Sequence, residues 1–181
     1  MSAFGQALSE LGSVLEEISA GDTERAVELI AEAGVIVGYG CGREGLQVQG
    51  LVMRLHHLGL KASMQGAMNT PPLGPGDVFL CSAGPGELST VSALMGVARD
   101  AGARILFLTA EPECEAARMA DHVLTVPAQT MARNIGGSSV LPMGSVYEGA
   151  LFVLFEIMVL ELKQRLGETS ESMRARHTNM E

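Results

Sequence analysis

The sequence has no tryptophan, two tyrosines and five phenylalanines. A core built from it must be aliphatic, with eleven methionines available as gap fillers. Positive charge is also scarce: 12 Lys and Arg stand against 21 Asp and Glu, a formal net charge of -9. No basic run occurs, and Arg174 and Arg176 are the densest pair. Nucleic-acid binding is therefore excluded as the main task, because such proteins carry a basic footprint. A local anion site stays open, since loop amides bind anions inside acidic proteins too. Cysteine is limited to Cys41, Cys81 and Cys114, whose spacings fit no zinc pattern. No metal is expected, and the odd count suits reduced thiols. The most apolar run, 150–160, is interrupted by Glu156 and is too short to cross a bilayer. The N-terminal stretch lacks the basic start and apolar block of a signal peptide. These absences point to a soluble cytoplasmic protein of one domain over 181 residues, without nucleic-acid or membrane partners.

What is present reads as alternating helices and strands. Apolar residues at helical spacing (Phe4, Leu8, Leu11, Val14, Leu15, Ile18) predict a helix over 3–18. Gly21 is expected to stop it, with Asp22 or Thr23 capping a second helix over 23–33. The apolar run 35–39 predicts a strand buried on both faces. A glycine loop and a helix through about residue 58 follow. A weak second strand is expected within 61–67, a turn at 71–76 and strands at 78–81, 104–109 and 122–126. Helices are expected over 88–100, 113–120 and 145–166, with a long loop at 127–144 and a polar tail from 168. This order predicts an α/β fold: a five-stranded parallel sheet flanked by helices in three layers, flavodoxin-like. Ligands bind such sheets at the carboxyl ends of their strands.

Two glycine loops stand at such strand ends. The first is Gly40-Cys-Gly-Arg-Glu-Gly45. Its spacing satisfies a dinucleotide pattern, but Lys61 and Gln65 stand where the ribose-binding acid belongs, so no nucleotide cofactor is expected. A plain strand-to-helix turn is the simpler alternative. The second is Ala83-Gly-Pro-Gly-Glu-Leu88. Gly84 and Gly86 free the backbone, Ser82, Ser89 and Thr90 offer hydroxyls to an anion, and Ser89 or Thr90 can cap the next helix. Glu87 has a plain role as a helix-start acid.

These segments resemble the sugar isomerase (SIS) domain family. Its first signature, approximately G-x-G-R-S-G followed by R-L-x-H-L-G, stands as residues 40–45 and as Arg54-Leu-His-His-Leu-Gly59. Its second, S-G-S-G-E-T, stands as residues 83–88. The C-terminal signatures resemble the 6-phospho-3-hexuloisomerases: Pro142-Met-Gly-Ser-Val-Tyr-Glu148 and Met173-Arg-Ala-Arg-His-Thr-Asn-Met-Glu181. The resemblance implies an isomerase working through an enediol on an aldose–ketose or ketose–ketose pair, without a cofactor. It implies Glu148 as the base at carbon and His177 as the second acid–base group, with the 167–181 tail reaching a neighbouring subunit's site in a tetramer. It implies sugar contacts from Gly42, Arg43, Glu44, His57, Ser82, Gly84, Gly86, Glu87, Ser89 and Thr90.

Glu44, Pro85 and Leu88 depart from the family pattern and stand where hydroxyls hold the sugar phosphate. A carboxylate beside a dianion is unfavourable unless paired. A sulfonated or unphosphorylated sugar therefore stays open as the substrate, as does a non-catalytic sugar-binding domain.

Overall fold

The computed structural model describes residues 1–130 and 139–180. Five parallel strands form one sheet in the order β2-β1-β3-β4-β5: β1 Ile36–Gly40, β2 Ala62–Met64, β3 Val78–Ser82, β4 Arg104–Thr109 and β5 His122–Thr125. Helices α1 Ala3–Glu17, α2 Ala20–Ala31, α3 Gly42–His57, α4 Ser89–Asp100, α5 Ser145–Arg165 and α6 Ser170–Ala175 surround it. The expected fold class is the one observed.

Strand alternation sorts the core into two layers. Ile36, Val78, Leu80, Leu106 and Leu124 face α2, α3 and α5. Val37, Phe79, Cys81, Ile105 and Phe107 face α4 on the other side. Helix α5 buries Tyr147, Ala150, Leu151, Leu154, Phe155, Met158 and Leu162, a stripe repeating at three and four residues. It packs against α3, α1 and α2. His122 Nε2 donates a 2.7 Å hydrogen bond to the Asp22 carbonyl, which is a structural role.

Several local expectations are corrected. Helix α2 begins at Ala20, capped by Ser19 Oγ, which accepts from the Asp22 amide at 3.2 Å. Gly21 lies inside that helix, and α1 ends at Glu17 without it. Helix α4 has Leu88 at its N-cap and no side-chain cap, so neither Ser89 nor Thr90 caps it. The helix expected over 113–120 is a single 3₁₀ turn at Ala116–Met119. The polar tail contains α6, held by a capping box in which Thr169 and Ser172 bond each other's backbone. Positions 131–138 of the predicted long loop lie outside the described residues.

The strand order reverses between β1 and β3, while every strand runs parallel. The chain goes outward from β1 to β2, then returns to β3 on the other side of β1. The carboxyl ends of β1 and β3 sit side by side, with Gly40 paired to Ser82. Such a switch point opens a crevice between the loops that leave the two strands.

Candidate active site

The crevice holds a cavity of about 270 Å³ lined by Cys41, Gly42, Arg43, Glu44, Pro85, Leu88, Thr130, Gly144, Tyr147 and Glu148. Three helix starts meet there. The N-caps of α3, α4 and α5 are Cys41, Leu88 and Gly144, and none makes a side-chain cap bond. Each start presents unsatisfied amides and the positive end of a helix dipole. Together they favour an anion in the cavity.

The first loop turns tightly because residue 45 has no side chain. A Cβ on Gly45 would stand 2.4 Å from the Gly40 carbonyl oxygen. Gly45→Ala must push α3 away from β1, and both are backbone. We expect a stability loss of roughly 1–3 kcal/mol or more, as for overpacked sites. Thermal melting checks this, and an unchanged midpoint would refute the close-approach argument.

Glu44 reaches across from α3 to the second loop. Its Oε2 accepts from Ser82 Oγ at 2.7 Å and from the Gly84 amide at 2.9 Å. Ser82 Oγ also lies 3.2 Å from the hydroxyl of Tyr147, which is 1% exposed. Burial pushes the Glu44 carboxyl above its ordinary pKa; the two hydrogen bonds oppose the rise and the Glu148 charge adds to it. Burial, with the Glu44 charge second, raises Tyr147 well above its ordinary value.

Glu148 sits in the first turn of α5. Its Oε2 lies 3.0 Å from Arg43 Nε. That oxygen is buried, and no N–H points at it closely enough to make a hydrogen bond among the described residues. The pair is thus an ion pair without a directed bond, and the carboxylate keeps a free lone pair. Arg43 also donates to Ser145 Oγ at 3.3 Å, which ties the starts of α3 and α5 together. Thr130 is 2% exposed, and its Oγ1 has no hydrogen-bond partner among the described residues.

The structure brings Gly42, Arg43, Glu44, Ser82, Gly84 and Glu148 to this one place. Gly86 closes the second loop, its amide donating to the Ala83 carbonyl at 2.9 Å. Glu87 turns away: its Oε1 accepts from the Ala116 amide at 3.1 Å and so serves the 3₁₀ turn. Ser89 and Thr90 are exposed and do not line the cavity. His57 and His177 stack at 5.1 Å between ring centroids, at the far end of α3. Arg176 anchors this end by donating to the His57 carbonyl at 2.9 Å and to Glu168 at 2.8 Å. With a rise of 1.5 Å per residue, Arg43 and His57 stand about 21 Å apart along α3. Within one chain His177 is therefore remote from Glu148.

Sequence reasoning missed Thr130 and Tyr147. Tyr147 lies inside the motif that singled out Glu148, so its aromatic position was a usable signal. Thr130 had none, because it lies in a segment without periodicity.

No family profile matches the chain. Curated relatives do. The 3-hexulose-6-phosphate isomerase of Bacillus subtilis (strain 168) is 30% identical over 175 residues, 96% of this chain and 95% of the relative. That of Mycobacterium gastri is 34% identical over 152 residues, 84% of this chain and 76% of the relative. Among solved structures, a hypothetical protein from Methanococcus jannaschii, for which that same molecular function was inferred, superposes with a TM-score of 0.84. It shares 22% identity and is covered to 98%, against 96% of this chain, so it attests the fold. Fold, cavity and sequence identity over nearly the whole length agree, and the chain belongs to the 3-hexulose-6-phosphate isomerase family of sugar isomerase (SIS) domains.

Proposed function

We propose that the protein interconverts isomers of a hexulose 6-phosphate by moving a carbonyl between adjacent carbons through an enediol. The observation that carries this reading is Glu148, a carboxylate with a free lone pair in a cavity where three helix starts favour an anionic ligand. In the reaction, Glu148 takes the proton from the carbon beside the carbonyl and returns it to the neighbouring carbon. Arg43 holds that carboxylate in place and offsets its charge beside an anionic substrate. The two enediol oxygens exchange one proton, which calls for a second acid–base group, and histidine suits that task. His177 of the same chain stands too far away. The reading therefore assigns the exchange to His177 of the partner subunit.

The test is proton NMR in deuterated water with 3-hexulose 6-phosphate, fructose 6-phosphate and their sulfonated and unphosphorylated analogues. Isomer formation with deuterium at the carbon beside the carbonyl is expected for the phosphates. Absence of both with every sugar sinks the reading and leaves a sugar-binding domain.

An assembly, which we take to be a cytoplasmic homotetramer, follows from the same reading. Phe152 and Leu160 on α5 are 59% and 61% exposed, and Met53 on α3 is 46% exposed. Large apolar side chains left exposed on two packed helices suit an interaction surface. Phe152→Glu should lower the mass measured by light scattering, because a charge buried in an apolar contact is unfavourable. An unchanged mass would remove this face from the interface. No helix among the described residues is long and apolar enough to cross a membrane.

A further inference from the structure

Glu44 stands where the family pattern has a serine, and its position poses a charge problem. Two loop donors, Ser82 Oγ and the Gly84 amide, converge on one of its oxygens, Oε2. The other oxygen takes no hydrogen bond among the described residues. A neutral carboxylic acid fits this arrangement, with Oε2 as the carbonyl oxygen and Oε1 left to carry the proton and donate it. An ionised carboxylate here would face the anion that three helix starts attract, and would face Glu148 as well. Among the described residues, the remaining charged or titratable groups around the cavity are Arg43, already paired with Glu148, and Cys41 and Tyr147. None of these is a cation left over for Glu44. Thr130 Oγ1, buried and without a partner among the described residues, supplies a further hydroxyl at the cavity wall.

We propose that Glu44 meets the anionic end of the substrate as a neutral carboxylic acid, so that one proton enters the site with the ligand. The Oε1–H bond then does what a serine hydroxyl does elsewhere: it donates to a phosphate oxygen. The proton comes from solvent and returns there on release, so nothing else is consumed. Burial of the carboxyl, already raised above its ordinary value, lowers the cost of that uptake. This rests on the sugar-phosphate reading of the cavity but concerns the protonation of one residue rather than turnover.

The probe is glucitol 6-phosphate, which has no carbonyl to isomerise, with glucitol as the uncharged control. Binding is measured by calorimetry at pH 8, where the phosphate is dianionic, in buffers of differing ionisation enthalpy. The wild type should take up about one proton per site more than Glu44→Gln, whose amide is neutral at every pH. Wild-type affinity should fall about tenfold per pH unit above the Glu44 titration, while Glu44→Gln and Glu44→Ser stay flat. Equal proton uptake in wild type and Glu44→Gln would overturn the proposal. So would glucitol binding as tightly as its phosphate, since Glu44 would then be an ionised acceptor for sugar hydroxyls. Proton uptake without any isomerisation of the hexulose phosphates would leave Glu44 as assigned and sink the isomerase reading alone.

Discussion

Glu148→Gln is expected to lower turnover about 10²–10⁴-fold, the usual effect of losing a positioned acid–base group. Glutamine keeps the shape of the side chain at the start of α5 but cannot take a proton. The size of the effect separates two explanations. Arg43 is 65% exposed at its side chain, so its ion pair with Glu148 is worth only about 0–1 kcal/mol. A loss confined to that pair would change the rate by roughly fivefold at most. Loss of the base costs about 3–5 kcal/mol in the barrier. Turnover and deuterium uptake should fall together, while the melting temperature and binding of an unreactive sugar phosphate stay near wild type. Deuterium uptake at the wild-type rate would show that another group moves the carbon-bound proton.

Mixing two inactive variants should restore activity. Glu148→Gln and His177→Asn each remove one half of a site that, on the reading above, two chains share. Neither variant alone turns over efficiently. When they are unfolded together and reassembled, some sites join an intact Glu148 from one chain to an intact His177 from another. Random assortment in a symmetric oligomer gives roughly a quarter of the sites this pairing. Recovery to that order, measured as turnover per chain, is the expected result. The distance along α3 decides against the alternative: a site assembled within one chain would need His177 to cross about 21 Å. Failure of the mixture to regain any activity would place the second acid–base group elsewhere, with Tyr147 and Thr130 the next residues to replace.

Much of the architecture was legible along the chain because it rests on short-range periodicity. The apolar runs at 36–40, 78–82 and 104–109 are strands because they are buried on both faces of a parallel sheet. Glycines at the ends of helices marked their limits. The misreadings fall where two local signals compete. Ser19, Asp22 and Thr23 are all good caps, and the choice among them depends on where the helix axis meets the sheet. Glu87 looked like a helix-start acid from its position, yet a 3₁₀ turn 29 residues later takes its carboxylate. Ser89 and Thr90 offered hydroxyls to the cavity by spacing, but α4 begins with both facing solvent.

The sequence by itself determined the fold class, the two loops and the acid at position 148, since each is written in residues close together in the chain. The tertiary structure decided the rest. It set Glu44 against Ser82 and Gly84, which lie 38 and 40 residues away, and so turned a departure from the family pattern into a bonded carboxyl group. It brought three uncapped helix starts to one cavity and carried His177 to the opposite end of α3. The reason is the same in each case. Periodicity dictates which face of an element is buried, whereas the partner across a crevice depends on strand order, and only the folded sheet sets that.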